Sequence, residues 1–241
     1  MSNNGNKNIL LVTGEPNTGK STSLYFLRQP ERYVYLNTDM KETPFRSKFA
    51  VNISVDDPLD ILDYMDQVED NDDIDGVIVD TLTFMMDMYE SMYIHNATDS
   101  RKMWGEMAQF YKAFIRKAKA GTKTYIILAH ENIELNEKTA QMESKVPIKG
   151  AIGRVGAQAD FTTVVSSRNI DVKKLKDISN DLLEITEEEE ADGIKRIFLT
   201  RSNKEHTGSL ARSAIGLWER EEIYIDNNIQ QVLDRINTYY N

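Results

Sequence analysis

Cysteine is absent from the chain of 241 residues. Without thiols the protein has no disulfide and no thiolate metal site, and cysteine content says nothing about its redox compartment. No run approaches the roughly 18 apolar residues that a membrane-spanning helix needs. The first residues, MSNNGNKN, lack the apolar segment of a signal peptide. We therefore expect no membrane segment and a cytoplasmic location.

Positive charge is also scarce, because 29 lysines and arginines face 39 acidic residues and leave a formal net charge of −10. This balance argues against a protein coated with basic surface for duplex DNA, although it leaves room for a local basic groove. The hydrophobic content of 40% suffices for a core. A chain of this length predicts one domain, or one domain with appendages.

One motif stands out near the start of the chain. The apolar run Ile9–Thr13 leads into Gly14–Ser21, which matches the P-loop pattern G-x-x-x-x-G-K-[ST], and the residues after it can continue as a helix. The predicted phosphate contacts are Gly14, Glu15, Pro16, Asn17, Thr18, Gly19, Lys20, Ser21 and Thr22. Lys20 would reach the β- and γ-phosphates, and the Ser21 hydroxyl would bind Mg²⁺. The alternative, a glycine-rich turn without a ligand, fits the strand and helix flanks poorly. The motif predicts a nucleoside triphosphate site.

Apolar runs alternate with helical patterns along the rest of the chain. We predict strands at 9–13, 33–36, 49–53, 76–80, 124–129, 161–166, 194–200 and 223–225, and helices at 20–28, 58–68, 100–120, 150–159 and 227–240. This alternation predicts an α/β fold, a three-layer sandwich with a mostly parallel central sheet and helices on both faces. Residues 131–149 lack a clear period and are predicted as a long loop.

The predicted domain organisation follows from these elements. We expect a flexible N-terminus at 1–8 and an ATPase core at 9–216. A charged insertion at 169–192 would interrupt the core. A C-terminal strand and helix would extend it over 217–241.

Polar residues stand at the ends of other predicted strands, which share one edge of a parallel sheet. Asp80 ends an apolar strand and would hold Mg²⁺, mostly through water; a helix N-cap is the alternative. Asp39 ends the second strand and could orient or deprotonate the attacking water, with Glu42 as its rival. His130 ends the fifth strand, placed to touch the γ-phosphate, unless it is a structural histidine.

The base is predicted from a missing motif. Guanine readers carry N-K-x-D after a strand. In this chain Asn203-Lys204-Glu205 is followed by His206 instead of the aspartate. We therefore expect ATP, with Mg²⁺, as the bound nucleotide.

The order of these motifs over residues 7–210 resembles the RecA-like ATPase core, a family that includes RecA-type recombinases and DnaB-type helicases. The chain is most similar to the compact phage-encoded ATPases of the Sak type, which accompany single-strand annealing and recombination. Those proteins carry a histidine where RecA has its glutamine sensor. The resemblance implies that Asp39 lies where relatives carry the catalytic glutamate, and that His130 is the phosphate sensor. If the chain is phage-encoded, its cytoplasm is that of a bacterial host.

The resemblance also implies a basic finger that acts across a subunit interface. Helicases of the family carry it in a K-x-R-x-x-x-T-G-like segment, which residues 201–208 resemble. Arg201 matches the first basic position, Asn203 departs from the second, and Lys204 is displaced by one. A finger supplied by a neighbour would make ATP hydrolysis depend on assembly.

DNA contact is implied for the segments after Asp80 and His130. The second segment carries Lys138, Lys145, Lys149 and Arg154; ordinary solvated charge is the alternative to a phosphate-contact strip. We therefore predict an ATPase that acts on single-stranded DNA in recombination, annealing or replication. Its expected partners are further copies of itself in a ring or filament, and a single-strand-binding protein. Rival interpretations are an ATP-switch adaptor such as a helicase loader, and a small-molecule P-loop kinase.

Overall fold

The predicted apolar runs form one eight-stranded sheet in the computed structural model, which describes residues 5–137 and 140–240. Its strands are β1 (Ile9–Gly14), β2 (Tyr33–Asn37), β3 (Val51–Ser54), β4 (Gly76–Asp80), β5 (Thr124–His130), β8 (Thr163–Asp171), β9 (Ile194–Leu199) and β10 (Tyr224–Asp226). The strand order is β10-β9-β8-β1-β5-β4-β2-β3. Strand β9 runs against its two neighbours, and the other pairs are parallel. The sheet is therefore mostly parallel.

Helices cover both faces of the sheet. They are α1 (Asp60–Glu69), α2 (Leu82–Tyr89), α3 (Ser100–Ala120), α4 (Gly150–Val155), α5 (Val172–Leu175), α6 (Glu187–Asp192) and α7 (Ile229–Tyr240). Because side chains alternate along a strand, Leu11 packs with α1, α2 and α3, whereas Leu10 and Val12 pack with α7 on the other face. The predicted three-layer α/β sandwich is confirmed. No helix in the described ranges is both long and apolar enough to cross a bilayer.

Two predicted elements differ in the structure. The helix predicted at 20–28 is a short 3-10 helix, Ser21–Phe26, because Leu27 is extended and Gln29, before Pro30, has a φ of 51°. The loop predicted at 131–149 contains an antiparallel hairpin, β6 (Asn132–Asn136) and β7 (Gln141–Lys145). In β6, Ile133 and Leu135 alternate with polar residues, but the pattern covers only five residues and β7 does not continue it.

The predicted insertion and C-terminal extension both contribute to the sheet region. Strand β8 continues to Asp171 and pairs with β9, so the first residues of the 169–192 segment belong to the sheet. The rest of that segment carries α5 and α6. In the C-terminal part, β10 pairs with β9, and Ile229, Val232 and Ile236 of α7 are fully buried.

Candidate nucleotide-binding site

A cavity of about 370 Å³ lies at the edge of the sheet where β1, β4 and β5 end. Parallel pairing aligns these strand ends, because Gly14 is opposite His130 and Asp80 is opposite Leu128. The predicted site residues that line the cavity are Pro16, Asn17, Gly19, Lys20, Ser21, Thr22, Asp39, Asp80 and His130. The strand ends thus bring together side chains that are far apart in sequence.

The loop 14–20 has the backbone shape that its glycines permit. Gly19 has a φ of +100°, and Asn17 also has a positive φ, of 65°. At Gly14 a Cβ atom would lie 2.5 Å from Thr18 Oγ1, so only glycine fits without a shift. The Thr18 hydroxyl donates to the Glu15 carbonyl at 2.9 Å and closes the turn.

Lys20 points into this loop. Its ammonium donates to the carbonyl oxygens of Gly14 and Glu15, both at 3.0 Å, and the residue is only 6% exposed. Burial lowers the pKa of Lys20 to about 8, although the nearby Asp80 carboxylate opposes this shift. A phosphate held by the loop would give the ammonium a charged acceptor in addition to neutral carbonyls.

The residues present fit a magnesium ion. The Ser21 hydroxyl donates to Asp80 Oδ2 at 2.7 Å, so both predicted oxygen ligands lie side by side. Burial raises the pKa of Asp80, while hydrogen bonds from Tyr35 and Ser21 lower it. Within the described residues, no group of three or more His, Cys, Asp or Glu could hold a metal. The hydroxyl of Ser21 and the carboxylate of Asp80 suit Mg²⁺, which binds few protein groups and takes its other ligands from phosphates and water.

Tyr35 is a second contact of Asp80 that the sequence did not reveal. Its hydroxyl donates to Asp80 Oδ2 at 2.6 Å from the neighbouring strand β2. Burial raises the pKa of Tyr35, and the Asp80 charge raises it further. The phenol therefore stays a donor and helps to orient the carboxylate.

Of the two candidate acids, Asp39 lines the cavity and Glu42 does not. The backbone N–H of Asp39 donates to the Asp80 carbonyl at 3.3 Å, and the Asp39 carboxylate forms an ion pair with Lys41 at 3.0 Å. Asp39 and Lys41 line the cavity, whereas Glu42 is exposed and is not among the lining residues. The assignment of a catalytic role to Asp39 stays a prediction.

His130 lines the same cavity from the end of β5. Its backbone N–H donates to Thr83 Oγ1 at 2.9 Å, and its ring meets the Phe84 ring edge-on at 5.3 Å. Burial lowers the pKa of His130, and the Lys20 charge lowers it further. The neutral imidazole is therefore favoured at neutral pH, with one nitrogen available to donate a hydrogen bond.

Arg196 is a cavity residue that sequence reasoning missed. It stands near the start of β9, and its Cδ lies 2.8 Å from the position that a Cβ of Gly19 would occupy. Because β9 runs antiparallel to β8, the start of β9 lies at the P-loop edge of the sheet. Only residues at the ends of strands were considered in the sequence, and Arg196 was therefore missed. The guanidinium has no hydrogen bond or ion pair to any residue in the described ranges.

The predicted finger residues lie elsewhere in the chain. The Arg201 guanidinium donates to the Arg220 carbonyl, and Lys204 is exposed; neither lines the cavity. A finger that acts on a neighbouring subunit is not tested by one chain, so its role stays a prediction.

Three of the four predicted DNA-contacting residues lie on β7, α4 and the segment between them. Lys145 faces Glu134 at 3.9 Å, and Lys149 pairs with Glu90 at 2.7 Å. Arg154 is exposed in the last turn of α4, and Lys138 lies outside the described residues. Acidic neighbours thus offset part of the predicted basic strip.

A buried ion pair joins this hairpin to the P-loop edge. Glu131, which follows His130, is 0% exposed and pairs with Arg168 of β8 at 2.5 Å. Ser166 Oγ donates to the same carboxylate at 2.9 Å. The side chain of Ser144 in β7 also bonds Glu131, so the residue beside His130 holds the hairpin.

Comparisons with known proteins identify the family of the chain. A family model described as an AAA domain matches residues 6–208. No curated protein matches the chain. Among solved structures, a KaiC-like protein from the hyperthermophilic archaeon Pyrococcus horikoshii OT3 is similar, with 14% identity and a TM-score of 0.43 over 85% of this chain and 82% of that chain. The family match spans most of the sequence, and the chain therefore belongs to the AAA domain family and is a P-loop ATPase.

Proposed function

We propose that the protein hydrolyses ATP and that single-stranded DNA regulates this activity. One observation carries the ATPase part: Lys20, Ser21, Asp39, Asp80 and His130 line one cavity although they come from different segments. Ser21 and Asp80 would hold Mg²⁺, which would supply positive charge against the charge that develops during phosphoryl transfer.

The protein groups have separate roles in this proposal. Lys20 would bind the β- and γ-phosphates, and Asp80 would be held in position by Tyr35 and Ser21. Asp39 would orient the attacking water. His130 would donate to the γ-phosphate and register its loss.

The DNA-linked part of the proposal rests on the order of motifs, which resembles the Sak-type phage ATPases, and on the link through Glu131. A change at His130 would reach the β6–β7 hairpin through the adjacent Glu131 and its bonds to Arg168 and Ser144. We further propose that copies of the chain form a ring or filament, in which Arg201 or Lys204 approaches a neighbour's nucleotide. Annealing, recombination or replication would be the setting, with a single-strand-binding protein as a partner.

The test is steady-state ATP turnover with and without single-stranded DNA. We expect turnover that DNA stimulates and that the Lys20→Ala variant loses. Turnover that survives Lys20→Ala would contradict the site. ATP binding without turnover would favour the adaptor, and turnover that needs a small-molecule acceptor would favour the kinase. Turnover with neither DNA stimulation nor DNA binding would overturn the DNA-linked part.

A further inference from the structure

A second cavity, of about 320 Å³, lies beside the first. The two share Thr22, directly after the P-loop, and Arg196 of β9. Gly19 stands at the border, because a Cβ there would lie 2.8 Å from both Arg196 Cδ and Asn227 Oδ1. Arg196 therefore stands between the two cavities, and a ligand that spans them would contact it.

An aromatic side chain forms part of the second cavity. Phe26 is the last residue of the 3-10 helix that starts at Ser21, and it is 48% exposed. Its ring meets the Tyr25 ring edge-on at 5.3 Å. An aromatic face on a cavity wall can stack a nucleobase of any sequence type.

Apart from Arg196 at the border with the first cavity, the charged side chains that line this cavity are carboxylates and one lysine. The one buried cation, Lys195, is neutralised by Glu189 at 2.9 Å and Asp226 at 3.0 Å. Glu184 also lines the cavity, and its carboxylate has no partner in the part of the chain that the structure describes. Asn227 is 7% exposed, and its buried Oδ1 has no hydrogen-bond partner there either.

Such acceptors fit the uncharged half of a nucleotide. Carboxylates accept hydrogen bonds from ribose hydroxyls, and an amide oxygen accepts from a hydroxyl or an exocyclic amino group. Ionised phosphate oxygens can only accept hydrogen bonds, so they would find no donor in these carboxylates and would be repelled by their negative charge. The first cavity also holds the carboxylates of Asp39 and Asp80, but it adds the ammonium groups of Lys20 and Lys41.

We propose that the second cavity binds the sugar and base of the nucleotide whose phosphates occupy the first. Phe26 would stack on the base, and Glu184 would accept from the sugar hydroxyls. The inference rests on the proposed nucleotide site. It gives the charged segment between α5 and β9, which supplies Glu184, a direct part in nucleotide selection.

The test compares the affinities of ATP and inorganic tripolyphosphate, each with Mg²⁺, for the full chain by calorimetry. Phe26→Ala and Glu184→Ala should each weaken ATP binding by about tenfold while leaving tripolyphosphate binding unchanged. The matched controls are Tyr239→Ala and Glu188→Ala, since both residues are exposed and neither lines the cavity. Circular dichroism melts identify any variant that fails to fold.

The outcomes separate the two proposals. If the wild type binds neither ligand, the proposed nucleotide site itself fails. If it binds both, and neither variant changes the ratio of the two affinities, the second cavity is not the nucleoside site. An equal loss of ATP and tripolyphosphate affinity would also overturn the inference, because it would show that these side chains only support the P-loop.

Discussion

The nucleotide cavity and the β6–β7 hairpin are neighbours that are built in opposite ways. In the cavity, Lys20 and Asp80 are 6% and 5% exposed, and hydrogen bonds hold both. On the hairpin, Lys145 and its partner Glu134 have side chains that are 60% and 61% exposed. Exposed pairs of this kind contribute about 0–1 kcal/mol, whereas buried polar groups lose much more when a partner is removed.

The two regions differ in whether their proposed function needs side chains held in one fixed geometry. Phosphoryl transfer needs groups placed to within a fraction of an ångström, and the cavity supplies them before any ligand binds. Contact with a nucleic-acid backbone needs charge near a surface rather than one geometry. Substitutions in the two regions should therefore differ both in size and in kind.

Asp80→Asn should have the largest effect on turnover. The amide keeps the shape but loses the charge that Mg²⁺ requires, so we expect ATP hydrolysis to fall by about 10²–10³-fold. The fall is measured as steady-state ATP turnover over a range of Mg²⁺ concentrations. Asp63→Asn, at an exposed position of α1, is the control and should leave turnover unchanged. Equal turnover in both variants would remove Asp80 from the site.

His130→Ala should have the next largest effect. Loss of the donor to the γ-phosphate should lower kcat by about 10–100-fold with a smaller change in KM for ATP, because that contact matters most in the transition state. His95→Ala is the control, since His95 has a 63% exposed side chain and pairs with Glu90. An unchanged kcat in His130→Ala would make the residue structural.

Lys20→Met should stabilise the ligand-free protein at pH 7 by about 1–2 kcal/mol, because the burial cost that it removes exceeds the loss of the hydrogen bonds to Gly14 and Glu15. The pKa of Lys20 is about 8 in the folded chain and 10.5 as its ordinary value. Between these values the unfolded chain binds more protons, so wild-type stability rises with pH across this window. Below pH 8 Lys20 is charged in both states, so the full cost of burying its charge lowers the stability of the wild type. Methionine carries no charge and removes this cost.

Urea melts at pH 7 and pH 10 measure this difference. The advantage of Lys20→Met should shrink at the higher pH. Lys112→Met, at an exposed position of α3, is the control and should change stability by less than about 0.5 kcal/mol. A Lys20→Met variant that is less stable at pH 7 would show that the lysine holds the loop together more than burial costs it.

Substitutions on and beside the hairpin should have the smallest effects. We expect Lys145→Ala and Arg154→Ala each to weaken single-stranded DNA binding by about three- to tenfold and to reduce the salt dependence by about one ion contact or less. Titrations at several salt concentrations measure both. Lys173→Ala, at an exposed position of α5, is the control. Affinities that match the control would leave these residues as ordinary solvated charge.

The sequence predicted the residues that the sheet itself positions. The P-loop, Asp80, Asp39 and His130 were found because parallel strands align their ends, and apolar runs mark those ends. Arg196 was not found, because the reversed direction of β9 is set by pairing with β8 and leaves no local pattern. The Glu131–Arg168 pair joins residues 37 positions apart, and neither residue type signals a buried pair.

The hairpin shows the same limit on a larger scale. Both strands are largely exposed, with Ser144 of β7 as their one buried residue, so their composition barely distinguishes them from a loop. The short 3-10 helix after the P-loop was predicted too long for a related reason. Helical propensity is local, but the end of that helix follows from the extended backbone of Leu27.

The most direct test of the nucleotide site is the melting temperature with and without MgATP. At about 100 times the dissociation constant, ligand binding should raise the wild-type melting temperature by about 5–10 °C. Lys20→Ala and Asp80→Asn should each show little or no rise relative to their own ligand-free value. An equal rise in wild type and Lys20→Ala would place the nucleotide elsewhere, and no rise in the wild type would contradict a MgATP site at the edge of the sheet.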